Sequence, residues 1–143
     1  MSLEKILVVE DNIDNLELLQ LQLKFLGWES VPARSGVEAL EQLENLAPAA
    51  ILVDMVMSRM DGFALARSLK KNPKYRDVPI LAVTALAMPG DRERCLKAGC
   101  DGYISKPFTH RDLQKFLRHV LLSDTRPKQQ AAEDRGPRGQ EGL

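Results

Sequence analysis

Neither sign of charge predominates: 20 basic residues meet 20 acidic ones, so the formal net charge is zero. The basic excess that serves phosphate contacts in nucleic-acid binders and at membrane surfaces is missing, and any charged function must be local. No apolar run reaches the length that spans a bilayer, and Met1-Ser-Leu-Glu-Lys5 lacks the charged and long apolar regions of a secretory signal. A cytoplasmic protein is expected, with no membrane and no nucleic-acid partner. Cysteine is scarce. Cys95 and Cys100 are spaced unlike a zinc or CxxC pair and read as reduced thiols. No internal repeat is visible, and no glycine-rich phosphate loop follows the first apolar run. Glu10-Asp11-Asn12 stands there instead and would repel a phosphate, which disfavours a flavodoxin-type cofactor binder.

What is present is an alternation. The 143 residues, 44% hydrophobic and 28% charged, fit one globular domain. Short apolar runs alternate with segments of helical period, which implies stacked βα units. Ile6 to Val9 reads as a buried strand, followed by Leu16, Leu19, Leu23 and Leu26 at helical spacing until Gly27. Trp28 to Ala33 reads as a second strand, and Ser35-Gly-Val-Glu38 as a capping box opening a helix with Val37, Leu40 and Leu43 inward. Ala50 to Val53 is a third strand; Asp61 is placed to cap a helix bearing Phe63, Ala66 and Leu69. Pro73 and Pro79 frame the loop to a fourth strand, Ile80 to Val83, and a fourth helix ends near Gly99. Tyr103 to Ser105 is a fifth strand, and Thr109 with Asp112 caps a last helix with Leu113, Phe116, Leu117, Val120 and Leu121 in one stripe. The domain is expected over 4–122. Residues 123–143, poor in apolar side chains and rich in Gly, Pro, Gln and charge, are expected to be a disordered tail or truncated linker, too short for a helix-turn-helix.

Continuous apolar strands such as 6–9 and 50–53 suit a parallel sheet covered on both faces, whose ligands bind outside the carboxyl ends of the strands. Those ends deliver Glu10, Asp11, Asp54 and Thr84, and the loop after the fifth strand delivers Lys106. Converging carboxylates raise one another's proton affinity unless a cation offsets them. Oxygen donors without Cys or His suit magnesium, which keeps several waters and shares phosphate oxygens, rather than zinc. A carboxylate is also a nucleophile toward phosphorus, and Asp54 is the best candidate, with Lys106 and the Thr84 hydroxyl placed to hold phosphoryl oxygens. Taken singly, Asp11 and Asp61 could be plain helix caps, Thr84 a strand end and Lys106 a solvated lysine. Their joint arrival at the strand ends is the argument.

The runs Ile6-Leu-Val-Val-Glu-Asp-Asn12, Ile51-Leu-Val-Asp54-Met, Met60-Asp-Gly62, Val83-Thr-Ala85 and Lys106-Pro-Phe108 resemble the receiver domain of two-component response regulators, of the chemotaxis-regulator type. The resemblance covers roughly residues 4–122 and implies a flavodoxin-like, doubly wound (βα)5 sheet in the order 2-1-3-4-5. It also implies that Asp54 is the phosphoacceptor and that Asp11 ligates Mg2+ (or Mn2+) directly, with Glu10 acting through water. The Val56 carbonyl is a further implied metal contact. Thr84 and Tyr103 match the family's switch pair, Lys106 matches its phosphate-contacting lysine, and the bond before Pro107 is expected to be cis. Two departures stand out: Met57-Ser58 where Met-Pro is common, and Glu10 where Asp is commoner. Neither removes a reactive group.

The implied function is a phosphorylation-dependent switch, not an enzyme beyond its own phosphoryl acceptance and self-dephosphorylation. It is fed by a histidine kinase or histidine phosphotransfer protein and read downstream through the face of the fourth helix, fifth strand and fifth helix. The rival is an aspartyl-phosphate phosphatase of the haloacid dehalogenase type. That enzyme needs a general acid two residues beyond the nucleophile, where Val56 has no proton to give. In the resembling family the positions of Val56 and Leu86 flank the path of the hydrolytic water. Both are apolar here, which implies slow self-dephosphorylation. His110 and His119 are expected to be surface residues of the last helix.

Overall fold

The computed structural model of the protein describes residues 4–56, 62–85 and 89–123. Asp61, the Met57-Ser58 step, Met60, Leu86 and the segment 124–143 lie outside the described residues.

Five parallel strands are flanked by helices in strict alternation. They are β1 Lys5–Val9, α1 Ile13–Phe25, β2 Glu29–Ala33, α2 Gly36–Leu43, β3 Ala50–Val53, α3 Gly62–Lys71, β4 Ile80–Thr84, α4 Asp91–Lys97, β5 Gly102–Ser105 and α5 His110–Ser123. The sheet order is β2-β1-β3-β4-β5, as the resemblance implied. β1, β3 and β4 are inner strands, buried almost end to end, because apolar side chains on both faces meet helices on both faces. β2 lies at an edge and tolerates Pro32, whose missing N–H costs no bond on the unpaired side.

The period of two along each strand divides the core. Leu7, Val9, Ile51, Val53, Ile80 and Ala82 face one side with α2, α3 and α4, where Leu43, Phe63, Leu65, Leu69 and Cys95 pack. Ile6, Val8, Leu52, Leu81 and Val83 face the other side with α1 and α5, against Leu16, Leu19, Leu23, Leu113, Leu117 and Val120. Each fully buried Leu or Ile contributes about 1.5–3 kcal/mol of transfer free energy.

The helix ends follow the local chemistry. The Asn12 side chain accepts from Asn15 N at 2.9 Å to open α1, and Gly27, at φ +94°, closes it. Thr109 and Asp112 form a reciprocal capping box at α5, each backbone N–H bonded to the other's side chain. At α2 the expectation needs correction. Ser35 Oγ accepts from Glu38 N at 3.0 Å as expected, but the Glu38 carboxylate accepts from Arg34 N, one residue before the cap. With Gly36 opening the helix, Gly36, Ala39 and Leu43 turn inward and Val37 stands 60% exposed, not inward. Cys95 and Cys100 are free and buried, and His110 and His119 are exposed, both as expected. Among the described residues no helix is long and apolar enough to cross a membrane.

Candidate functional site

The sheet ladder itself aims the site. Val9 pairs with Val53, and one step further Asp54 N donates to Val9 O at 2.9 Å while Glu10 N donates to Ala33 O at 2.9 Å. These bonds carry parallel pairing past the strands, so Glu10 and Asp54 leave the sheet as neighbours. On the far side, Thr84 pairs with Ser105, and Lys106 N donates to Thr84 O at 2.8 Å. The Lys106–Pro107 peptide is cis, as expected.

Three of the expected side chains meet directly. Lys106 Nζ donates to Glu10 Oε1 at 3.0 Å and to Asp54 Oδ2 at 3.5 Å. Each carboxylate is further fixed by backbone: Glu10 Oε2 accepts from Asn12 N at 3.2 Å, and Asp54 Oδ1 from Val56 N at 3.0 Å. Both carboxylates are largely withdrawn from solvent. Burial pushes the Glu10 carboxyl above its ordinary range, Lys106 pulls it down, and the Asp54 charge pushes it up again.

The sheet and its loops place the other expected residues as follows. Asp11 is half-buried beside Glu10, and its backbone carbonyl accepts from Arg34 Nη2 at 3.3 Å. Thr84 is fully buried at the end of β4. Tyr103, half-buried on β5 beside Ala82, packs against the cluster under α4. Burial raises its phenol first, then the nearby Cys95 and Asp91. Val56 is 57% exposed at the rim. Sequence reasoning missed Arg34 and the Asn12 N–H. Arg34 directly follows β2, so the strand-end rule applied to every strand finds it.

The donor chemistry suits a hard cation. Glu10 and Asp54 share one ammonium, Asp11 follows Glu10 in the chain, and the donors are oxygens. Among the described residues no three His, Cys, Asp or Glu side chains form a group able to hold a metal alone.

This geometry, on this sheet, defines a class. Residues 6–118 match the response regulator receiver domain, and the chain belongs to that family of phosphorylation-dependent switches in two-component signalling. Among its relatives is the polar-differentiation response regulator DivK of Brucella ovis, 38% identical over 106 residues, spanning 74% of this chain and 86% of DivK. The receiver domain of a sensor histidine kinase from Pseudomonas aeruginosa PAO1, solved with magnesium coordinated in its active-site cleft, is 36% identical with a TM-score of 0.77. That match covers 84% of this chain and 98% of the other. A putative response regulator from Chloroflexus aurantiacus superposes with a TM-score of 0.80 at 30% identity, over 85% and 99% of the two chains.

Proposed function

We propose that the chain accepts a phosphoryl group on Asp54 and signals by a shift between two conformations. The observation that carries the reading is the shared ammonium. Lys106 lies within reach of Asp54 while Glu10 anchors it, so an acyl phosphate on Asp54 would find a cation already beside it. Glu10, Asp11, Asp54 and the Val56 carbonyl would hold Mg2+, which when bound neutralises phosphoryl oxygens. In the attack, an Asp54 carboxylate oxygen forms the new O–P bond and the donor's histidine nitrogen or acyl oxygen leaves with the bonding pair. Thr84 and Tyr103 would form the switch, Thr84 moving toward the new phosphoryl oxygens and Tyr103 changing burial. The donor is a histidine kinase or histidine phosphotransfer protein, and the downstream partner reads the α4-β5-α5 face.

The domain is taken to span 4–122, with 123–143 as tail or linker and the whole in the cytoplasm. Self-dephosphorylation is the only further activity proposed, slowed by apolar Val56; Leu86, the second such position, lies outside the described residues. A phosphatase of the dehalogenase type stays disfavoured, since Val56 carries no acid. The test is phosphoryl transfer from acetyl phosphate or a phosphorylated histidine phosphotransfer protein, with and without a chelator. Transfer that needs Mg2+ supports the reading; the same yield without divalent ion contradicts the metal part of it.

A further inference from the structure

One contact on the α3–α4 side lies outside the cleft's own chemistry. The Arg94 guanidinium lies 4.4 Å from the ring centroid of Phe63, the second residue of α3. Its Nη1 also lies 3.5 Å from Asp91 Oδ1. Asp91 is buried, whereas the Arg94 side chain is 61% exposed. A withdrawn carboxylate needs partner charge, and a guanidinium suits both tasks, stacking by its plane and pairing by its edge. Arg94 thus joins the first turn of α4 to the first turn of α3.

Behind Phe63, the chain is pinned to the acceptor strand. Gly62 N donates to Met55 O at 3.2 Å. A Cβ at Gly62 would lie 2.7 Å from Asp54 O and 2.6 Å from Met55 Cα, so the backbones touch with no side chain between them. At interior packing density such surfaces do not slide independently, and a shift of the Asp54–Met55 backbone displaces the start of α3. The contacts run without a gap from Asp54–Met55 through Gly62 and Phe63 to Arg94 and Asp91.

We propose that Arg94 is a coupling residue that carries displacement of the Asp54–Met55 backbone into α4 through its stack on Phe63, separately from Thr84 and Tyr103. The role rests on Asp54 being the phosphoacceptor. The competing description is a solvated arginine whose ring contact transmits nothing.

Amide spectra with and without beryllofluoride and Mg2+ decide between them, taken on wild type, Arg94→Gln, Arg94→Lys, Phe63→Leu and the Phe63→Leu/Arg94→Gln double variant. Saturation of the Val56 amide shift should change by no more than about twofold in any variant, since none touches the cleft. Shifts over Asp91–Lys97 should fall to roughly half or less in each of Arg94→Gln and Phe63→Leu, and no further in the double variant. Arg94→Lys should lie between, keeping the charge beside Asp91 but losing the planar stack. Full α4 shifts in Arg94→Gln, or losses that add in the double variant, overturn the coupling role. Should Phe63→Leu fail to fold, the exposed Arg94 variants carry the decision alone. Absence of the Val56 shift in wild type would overturn the acceptor reading, and this proposal with it.

Discussion

Lys106 Nζ sits 3.0 Å from Glu10 Oε1 and 3.5 Å from Asp54 Oδ2, so the carboxylate of β1 holds the lysine more closely than the expected acceptor does. Glu10 therefore acts as the resting anchor of Lys106. Lys106→Ala leaves two withdrawn carboxylates without that ammonium. We expect it to cost about 1–2 kcal/mol, less than a fully buried pair because the lysine is partly exposed. Added Mg2+ should recover most of the loss in thermal melts, while the beryllofluoride-dependent shift of Tyr103 should largely vanish. Equal melts of wild type and variant in chelator would contradict the anchoring.

Gly62 has a single chemical requirement, the lack of a Cβ. Gly62→Ala would place a methyl 2.6 Å from Met55 Cα and 2.7 Å from Asp54 O, backbone atoms that cannot rotate away. The expected cost is about 1–3 kcal/mol of stability, as for overpacking elsewhere, with a measurable loss in phosphoryl acceptance rate because the Asp54 backbone must move. Urea titration and acetyl phosphate kinetics report the two effects; a variant like wild type in both would show that the close approach is easily relieved.

The capping box of α5 makes a pH prediction. Backbone and side-chain hydrogen bonds from Thr109 hold the Asp112 carboxyl below its ordinary range. A lowered folded value means the contribution is complete above the unfolded value of about 3.9 and fades as pH falls through the folded value. Thr109→Ala should cost about 1 kcal/mol at neutral pH. Thr109→Ala keeps the backbone N–H that donates to the Asp112 carboxylate, so the difference from wild type should shrink only in part below pH 4, where the hydroxyl's own effect on that carboxylate is lost from both proteins. A difference independent of pH would assign it to the bond from Asp112 N to the Thr109 hydroxyl alone.

Val56 stands exposed beside the proposed acceptor, and its own N–H is spent on Asp54 Oδ1. Val56→Asn should speed loss of the phosphoryl group by about tenfold, of order 1–2 kcal/mol in barrier, with little change in stability. Decay followed after removal of acetyl phosphate at fixed Mg2+ measures it. An unchanged half-life would mean that water access at this position does not set the lifetime.

Most of the fold was legible because its strands are short apolar runs with helical period between them. Val8 and Leu52 each announce an inner strand, and Leu16, Leu19 and Leu23 one helix face. Val37 was misread because the inward positions of α2 belong to Gly36 and Ala39, residues too small to mark a stripe. The site was legible as a set of strand ends, which the winding rule gathers whatever the side chains are. Its internal pairing was not. That Lys106 reaches Glu10, and that Arg34 reaches the Asp11 carbonyl, depends on side-chain reach between elements distant in sequence, which no local pattern encodes.

The most direct measurement is the intact mass of the protein after incubation with acetyl phosphate and Mg2+, for wild type and for Asp54→Ala. Asp54 joins a withdrawn carboxylate to an adjacent ammonium at a strand end, while Glu10 holds the same ammonium as an anchor. The expected result is one added phosphoryl mass on wild type and none on Asp54→Ala, with the variant folded by circular dichroism. Labelling of Asp54→Ala to the same extent and at the same rate would place the acceptor elsewhere and contradict the assignment.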